Sequence, residues 1–431
     1  MIYAKEKDYT LYKGKMQDVL DALEENSIDS IVCDPPYELN FMGKGWDNQG
    51  IAFQPDTWKH CFRVLKNGGY LLAFGGSRTF HRIACAIEDA GFEIRDTIMW
   101  LYGSGFPKSM NIGLAVDKKN GVGNYTFVAK NKYEDGTYDL KQAQNKWSGW
   151  GTALKPSFEP IIVARKPFKG SLVDNVLEYG VGGINIDECR VGEAGGVKKV
   201  DIEPNSGSKN CAFGCNEKLK ELNKGRFPAN VILTYDETDF DEVCGGFPNT
   251  ENITKTHIAK NSDNNVNFNA SKEVNVIGYN DSGSASRYFY CAKASKKDRD
   301  EGLDLFENEK KPEYCLQYHE GKQRNEDVFR KNIHPTVKPL ELMQYLVRLV
   351  TPKNATILDC FMGSGSTGKA VMFENRERNA NYYFIGIEMT EEYLPICKAR
   401  IDYALNKYEY DFQKQLQDEK DKGQMSIFDF M

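Results

Sequence analysis

The chain lacks any apolar run long enough to cross a bilayer, and its opening stretch, MIYAKEKDYTLYKGK, lacks the apolar segment of a secretion signal. A soluble, cytoplasmic protein with no membrane association is the expectation. A basic excess is missing as well. The 56 Lys and Arg face 62 Asp and Glu, for a net charge of −6. Composition therefore gives no sign of a nucleic-acid partner, although a local basic groove can coexist with an acidic remainder. A zinc set is also lacking. Of the 11 cysteines only Cys211 and Cys215 stand close together, and no second pair completes four ligands, so no metal is expected. The others, Cys33 and Cys85 among them, lie in apolar surroundings and read as reduced core residues.

What is present suits a folded protein of some size. At 431 residues, 40% hydrophobic and 27% charged, the chain is too long for one small core. One large α/β domain with a sizeable insertion, or two domains, is the natural outcome. The first third alternates strands and helices. A short apolar run, Asp29 to Cys33, ends at Asp34-Pro35-Pro36-Tyr37, where two prolines stop the strand. A helical stretch from Trp58 to Leu65 meets a capping signal at Lys66 to Gly69, and Tyr70 to Phe74 reads as a buried strand. Residues 79–90 read as helix, with strands at Phe92 to Tyr102 and Glu159 to Ala164. Such alternation implies a mainly parallel sheet covered on both faces.

Residues 167–330 differ, being rich in Asn, Ser, Gly and Lys with little periodicity, and read as an insertion. Order returns at His334-Pro335-Thr336-Val337-Lys338-Pro339, ahead of an amphipathic helix from Leu340 to Val350. A strand from Ala355 to Asp359 leads into a glycine-rich turn opening a helix. Tyr383 to Ile387 is a further strand with Glu388 at its end, and a polar helical segment runs from Glu391 to about Lys420.

Strand, Gly363-Ser364-Gly365, helix, strand and Glu388 is a recipe for holding a nucleoside cofactor. The glycines let backbone approach the ligand, and the acid accepts from ribose hydroxyls. Dehydrogenases share this signal, and Gly368 could supply their third glycine. Gly363 to Lys369 also fits the spacing of a phosphate-binding loop. However, Ala370 stands where such a loop needs Ser or Thr for magnesium, which argues against an ATPase.

The turn at Asp34 to Tyr37 decides between these readings. It follows a parallel strand, where open α/β sheets place their sites. Asp34 offers a carboxylate and Pro35 a carbonyl, and the paired prolines stiffen both. Together they can hold the N–H groups of an exocyclic amine and aim its lone pair at a methyl donor. Tyr37 gives a flat face for an extruded base. The bland alternative is an ordinary strand-ending turn with a buried tyrosine.

With the two motifs in this order, the sequence resembles the β-class DNA amino-methyltransferases of bacteria and phages, the adenine N6 and cytosine N4 family. In that family D-P-P-Y comes first, target recognition lies in the middle and the cofactor motifs come last. Lys44 to Asp47, Gly149 to Pro160, Ser286 to Lys293 and His334 to Pro339 are similar to stretches of its members. The resemblance spans about residues 8–405. It implies a Rossmann-like S-adenosylmethionine-dependent methyltransferase sheet, circularly ordered, with an inserted target-recognition region. Residues 1–166 would form the catalytic half, 167–330 the recognition insertion, 331–405 the cofactor half and 406–431 a polar helix and tail.

By the same resemblance Asp34, Pro35, Pro36 and Tyr37 are catalytic. Asp359, Phe361, Gly363, Ser364 and Gly365 shape the cofactor pocket, with Glu388 on the ribose. Thr336 and Lys338 lie near the methionine end of the cofactor, Lys338 having the alternative of a solvated lysine at a helix start. Cys360 departs from the family, which usually has proline there. Asp at position 34 favours adenine N6, with cytosine N4, an RNA substrate or a catalytically silent DNA-binding subunit as alternatives. The expected partner is double-stranded DNA, within restriction-modification, and a homodimer is compatible with the reading. Lys198, Lys199, Lys224, Arg226, Arg287 and Lys293 are candidate DNA contacts by charge alone. The terminus, with Gln424, Ile427 and Phe428, looks like the peptide by which bacterial replication proteins dock on the sliding clamp. A tail folded onto the enzyme itself is the alternative.

Overall fold

The computed structural model describes residues 1–39, 49–103, 109–121, 143, 145–192, 225–234, 249–250, 283–284, 289–292, 298–304, 306, 309–310 and 329–407. Ten strands form the main sheet: β1 (Ile2–Lys5), β2 (Tyr9–Lys13), β3 (Ile28–Cys33), β4 (Leu65–Phe74), β5 (Glu93–Tyr102), β6 (Phe158–Arg165), β7 (Val231–Thr234), β8 (Tyr290–Ala292), β9 (Thr356–Asp359) and β10 (Tyr383–Glu388). Their order is β1-β2-β10-β9-β3-β4-β6-β5-β7-β8. All run parallel except β1 at the edge and β6, which is antiparallel to both β4 and β5. The fold is α/β and Rossmann-like.

Strand alternation builds two core layers. Val32, Leu72 and Phe74 face one side, with the helices α6 (Leu340–Val350), α7 (Ser366–Arg378) and α8 (Leu394–Leu405). Ile31, Cys33, Leu71 and Ala73 face the other, with α1 (Met16–Ala22), α2 (Pro55–Val64) and α3 (Phe80–Asp89). Two short helices complete the described set, α4 (Ile112–Lys119) and α5 (Leu172–Tyr179). Ser171 caps α5 by accepting the Asp174 N–H at 3.1 Å, and Gly180 ends it in a left-handed conformation. Among the described residues, no helix is long and apolar enough to cross a membrane.

Several expectations need correcting. Lys66 to Gly69 does not cap a helix; α2 ends at Val64 and these residues already belong to β4. Cys85 is exposed on α3, whereas Cys33 is buried. The helix α6 is amphipathic as expected, but its polar face is covered as well, so it is buried nearly all round. The buried Gln344 amide donates to Glu374 and Glu377 at 3.2 and 3.1 Å, and Arg348 pairs with the same Glu374. The segment from Glu391 is not simply polar, because Ile396, Cys397, Ile401 and Tyr403 of α8 are buried. Residues 167–330 contribute two strands to the main sheet: β7 pairs with β5, and β8 pairs with β7. Lys44 to Asp47, Lys198, Lys199, Cys211, Cys215, Lys224, Arg287, Lys293 and the tail residues Gln424, Ile427 and Phe428 lie outside the described residues.

The strand order positions the site. The late strand β9 lies beside the early strand β3, with Ile357 opposite Ser30. From β9 the chain continues outward to β10, and from β3 in the opposite direction to β4. Such a reversal opens a crevice outside the carboxyl ends of the two strands, the usual place for ligands in open α/β sheets.

Candidate active site

A cleft of about 1510 Å³ opens at that crevice, lined by Asp34 to Tyr37, His334, Thr336, Lys338, Asp359 to Ser364 and Glu388. Residues more than 300 positions apart thus share one wall. The volume exceeds the roughly 300–1,000 Å³ of a single small-ligand pocket, which leaves room for a cofactor and a second group.

Asp34 follows directly on β3. Its Oδ2 receives the Lys338 ammonium at 2.5 Å, while its buried Oδ1 has no hydrogen-bond partner among the described residues. Burial raises the Asp34 carboxyl above its ordinary range, Lys338 pulls it back, and the nearby Glu159 charge adds to the rise. Lys338 is no solvated lysine, being only 6% exposed. Burial works against its charge, but Asp34 and Glu159 outweigh that, and its pKa is raised. Its ammonium also lies 5.0 Å from the Phe74 ring centroid and 5.4 Å from that of Tyr37. The Tyr37 hydroxyl donates to Glu159 Oε2 at 2.6 Å, and its carbonyl accepts the Thr79 hydroxyl at 2.8 Å. Burial and two carboxylates keep that phenol protonated.

On the β9 side, Asp359 is turned inward. It accepts the Thr367 hydroxyl at 2.5 Å and the Phe361 N–H at 3.0 Å, so it braces the turn with both oxygens. Its pKa is raised well above normal by burial, despite the Thr367 bond. Phe361 packs edge-on against Trp58 at 6.1 Å. Glu388 accepts the Gly363 N–H at 2.7 Å and the Thr390 N–H at 2.6 Å, which ties the end of β10 to the turn. Burial raises its pKa, with those two N–H groups acting in the opposite sense.

The glycines also meet a packing requirement within the protein. Gly363 and Gly365 both have positive φ, at 53° and 75°. A Cβ on Gly363 would meet His334 Nε2 at 2.7 Å, and one on Gly365 would meet Cys397 Cβ at 2.8 Å. Both are required because α8 and the His334 ring press on the turn. Ser364 points its hydroxyl and carbonyl at buried Arg400, at 3.0 and 2.6 Å. Thr336 lines the cleft, with its N–H donated to His334 Nδ1 at 3.4 Å. Lys369, the lysine of the phosphate-loop spacing, is fully buried and paired with Glu301 at 2.8 Å.

One member of the site escaped sequence reading. Glu159 gathers Tyr37, Tyr102 (Oη to Oε1, 3.3 Å) and Lys338 (3.6 Å) around one carboxylate. It stands near the start of β6. A rule that searches strand carboxyl ends misses it, because the reversed β6 brings its amino end to this edge. The signal available was Glu159 opening an apolar strand, next to Pro160.

The profile of the DNA methylase family matches residues 28–399. The type II methyltransferase M.HindIII of Haemophilus influenzae is 29% identical over 153 residues, 35% of this chain and 40% of that protein. M.BglI of Bacillus subtilis is 39% identical over 75 residues, 17% of this chain and 20% of that one. The matched stretches thus span two fifths or less of these two relatives. Among solved structures, the PvuII DNA methyltransferase (cytosine-N4-specific) aligns over 93% of this chain and 94% of its own, with 14% identity and a TM-score of 0.40. With the family profile running through both walls of the cleft, from β3 to α8, the chain belongs to the N6/N4 family of DNA methylases.

Proposed function

We propose that the protein transfers a methyl group from S-adenosylmethionine to the exocyclic amine of a base extruded from double-stranded DNA, adenine N6 in particular. The observation that carries this reading is that Asp34, whose buried Oδ1 has no hydrogen-bond partner among the described residues, lines a cleft shared with the glycine turn. An acceptor left without a partner in a buried place costs stability, and an amine N–H would satisfy it. Aspartate at position 34 supports adenine as the base. Residues 1–166 and 331–405 would form the two halves of the enzyme, with base reading in 167–330.

The residues present fit the cofactor. Glu388 uses two of a carboxylate's roughly four acceptor positions on Gly363 and Thr390, which leaves capacity for ribose hydroxyls. When bound, S-adenosylmethionine supplies a methyl group on a sulfonium. The chain's own residues do the rest. Asp34 Oδ1 and the Pro35 carbonyl hold the amine's N–H groups, so that its lone pair is free of them. Tyr37 offers its ring to the base, with the hydroxyl anchored by Glu159. As the N–C bond forms and the methyl–sulfur bond breaks to leave a neutral thioether, the amine would shed a proton, and Asp34 would take it. Burial makes that carboxylate a stronger base than an exposed one.

The pH dependence follows. Asp34 must be ionised to accept, and its folded pKa is raised, so turnover falls as pH drops through that raised value. The acid limb of single-turnover rate against pH should therefore lie above the ordinary carboxylate range of about 3.9. A limb at or below that range would contradict the assignment.

DNA would lie across the mouth of the cleft, where Lys15, Arg78 and Lys155 are exposed despite the chain's acidic balance. Each phosphate contact contributes about 0.9 to the slope of log K against log salt. Replacing Arg78 and Lys155 together by Ala should weaken DNA binding at low salt and flatten that slope by about two. Cofactor binding should stay unchanged. An unaltered slope in a salt titration would place the phosphates elsewhere.

A further inference from the structure

Glu159 sits where two arrangements meet. Its Oε2 accepts the Tyr37 hydroxyl at 2.6 Å and lies 3.6 Å from the Lys338 ammonium. That ammonium is held at 2.5 Å by Asp34 Oδ2. One buried cation therefore serves two carboxylates, and the cluster carries a net negative charge. The second oxygen of Glu159 accepts from Tyr102 at 3.3 Å, so the side chain is held at both oxygens. Its backbone is fixed too, by pairing with β5, where Trp100 lies opposite Glu159.

We propose that Glu159 is a positioning residue for amine methylation: through the Tyr37 hydroxyl it fixes the ring on which the base stacks, and through Lys338 it sets the charge balance around Asp34. The proposal rests on the methyl-transfer reading above. A ring hinged only at its Cβ can swing, whereas one tied at its far end cannot, and small displacements of bound groups are costly in rate. The groups that act on Asp34 are Lys338 and Tyr37, which favour its ionised form, and Glu159, which opposes it; Asp359 also lies within electrostatic reach. Removing the Glu159 charge while keeping an acceptor leaves Lys338 wholly to Asp34. Ionised Asp34 then persists to lower pH.

The test compares wild type, Glu159→Gln and Glu159→Ala in the full chain. Cofactor affinity by calorimetry and thermal unfolding identify variants that fold. Single-turnover methylation of DNA is then followed across the acid limb. In parallel, the carboxyl of Asp34 in selectively carbon-13-labelled protein is titrated by NMR, a readout that needs no turnover. Glu159→Gln should shift both the acid limb and the Asp34 titration to lower pH, and retain most of the plateau rate. Glu159→Ala, which leaves two hydroxyls without their acceptor, should lose roughly 10- to 100-fold in kcat with a smaller change in KM. An Asp34 titration that stays in place in Glu159→Gln would overturn the proposal, as would equal plateau rates for Glu159→Ala and wild type. Absence of methylation by the wild type itself is a different outcome: it would remove the function proposed above, and with it a role for Glu159 in methylation.

Discussion

Replacing Asp34 by Ala should lower single-turnover kcat by about 10²–10³ or more while cofactor affinity changes little, because removal of one preorganised group facing the reacting centre has effects of that size. Calorimetry with S-adenosylmethionine separates lost chemistry from lost binding. Asp34→Asn sharpens the expectation. Its amide is nearly the same shape, but one of its two positions now presents N–H groups, which repel the amine they should hold. It also removes one of two carboxylates that share Lys338. Asp34→Asn should therefore be inactive yet unfold at an equal or higher temperature than wild type, a trade of function against stability. Retained turnover in Asp34→Asn would remove Asp34 from the chemistry.

The second large effect is expected at Lys338. Lys338→Met leaves Asp34 and Glu159 facing each other without their cation. Breaking a buried ion pair by removing one partner costs about 3–5 kcal/mol. The low end, about 3 kcal/mol, applies here, since the Asp34 and Glu159 side chains each keep 20% exposure. Lys338 holds the Asp34 pKa down, so its loss lets that pKa rise further. The sign of the pH dependence follows. The penalty is largest while Asp34 is ionised; as pH falls through the elevated Asp34 value the carboxyl protonates and the penalty shrinks. Urea unfolding of wild type and Lys338→Met at neutral and acid pH tests this. A difference that is absent at neutral pH, or that grows on acidification, would contradict it. Turnover should decline too, with the acid limb moved to higher pH.

Much of the scaffold was legible in the sequence because local pattern and burial agree there. The helix from Leu340 to Val350 coincides with α6 to the residue, and the strand stopped by Asp34-Pro35-Pro36 ends at Cys33. Glu388 ends β10 as the alternation suggested. Asp34 to Tyr37 from one end of the chain and Thr336, Lys338, Asp359, Phe361, Gly363, Ser364 and Glu388 from the other line one cleft, whereas Gly365 is not in its lining. What escaped notice depends on contacts far apart in sequence. Nothing near Lys338 signals that its partner is Asp34, 304 positions away. The four residues of β7 are too few to show a period, and they are a strand because β5 supplies their neighbour. The glycines at 363 and 365 were rightly marked as special, but the groups that exclude a side chain belong to His334 and α8. Glu159 was hidden by a strand reversal that sequence alone does not reveal.

The central claim is that this cleft methylates an exocyclic amine of a DNA base. Its most direct test is mass spectrometry of nucleosides from varied-sequence DNA incubated with purified protein and S-adenosylmethionine. The expected product is N6-methyladenine. N4-methylcytosine would change the base and keep the chemistry at Asp34. A methyl group on a ring carbon, or no methylated base at all from protein that binds the cofactor, would contradict the account.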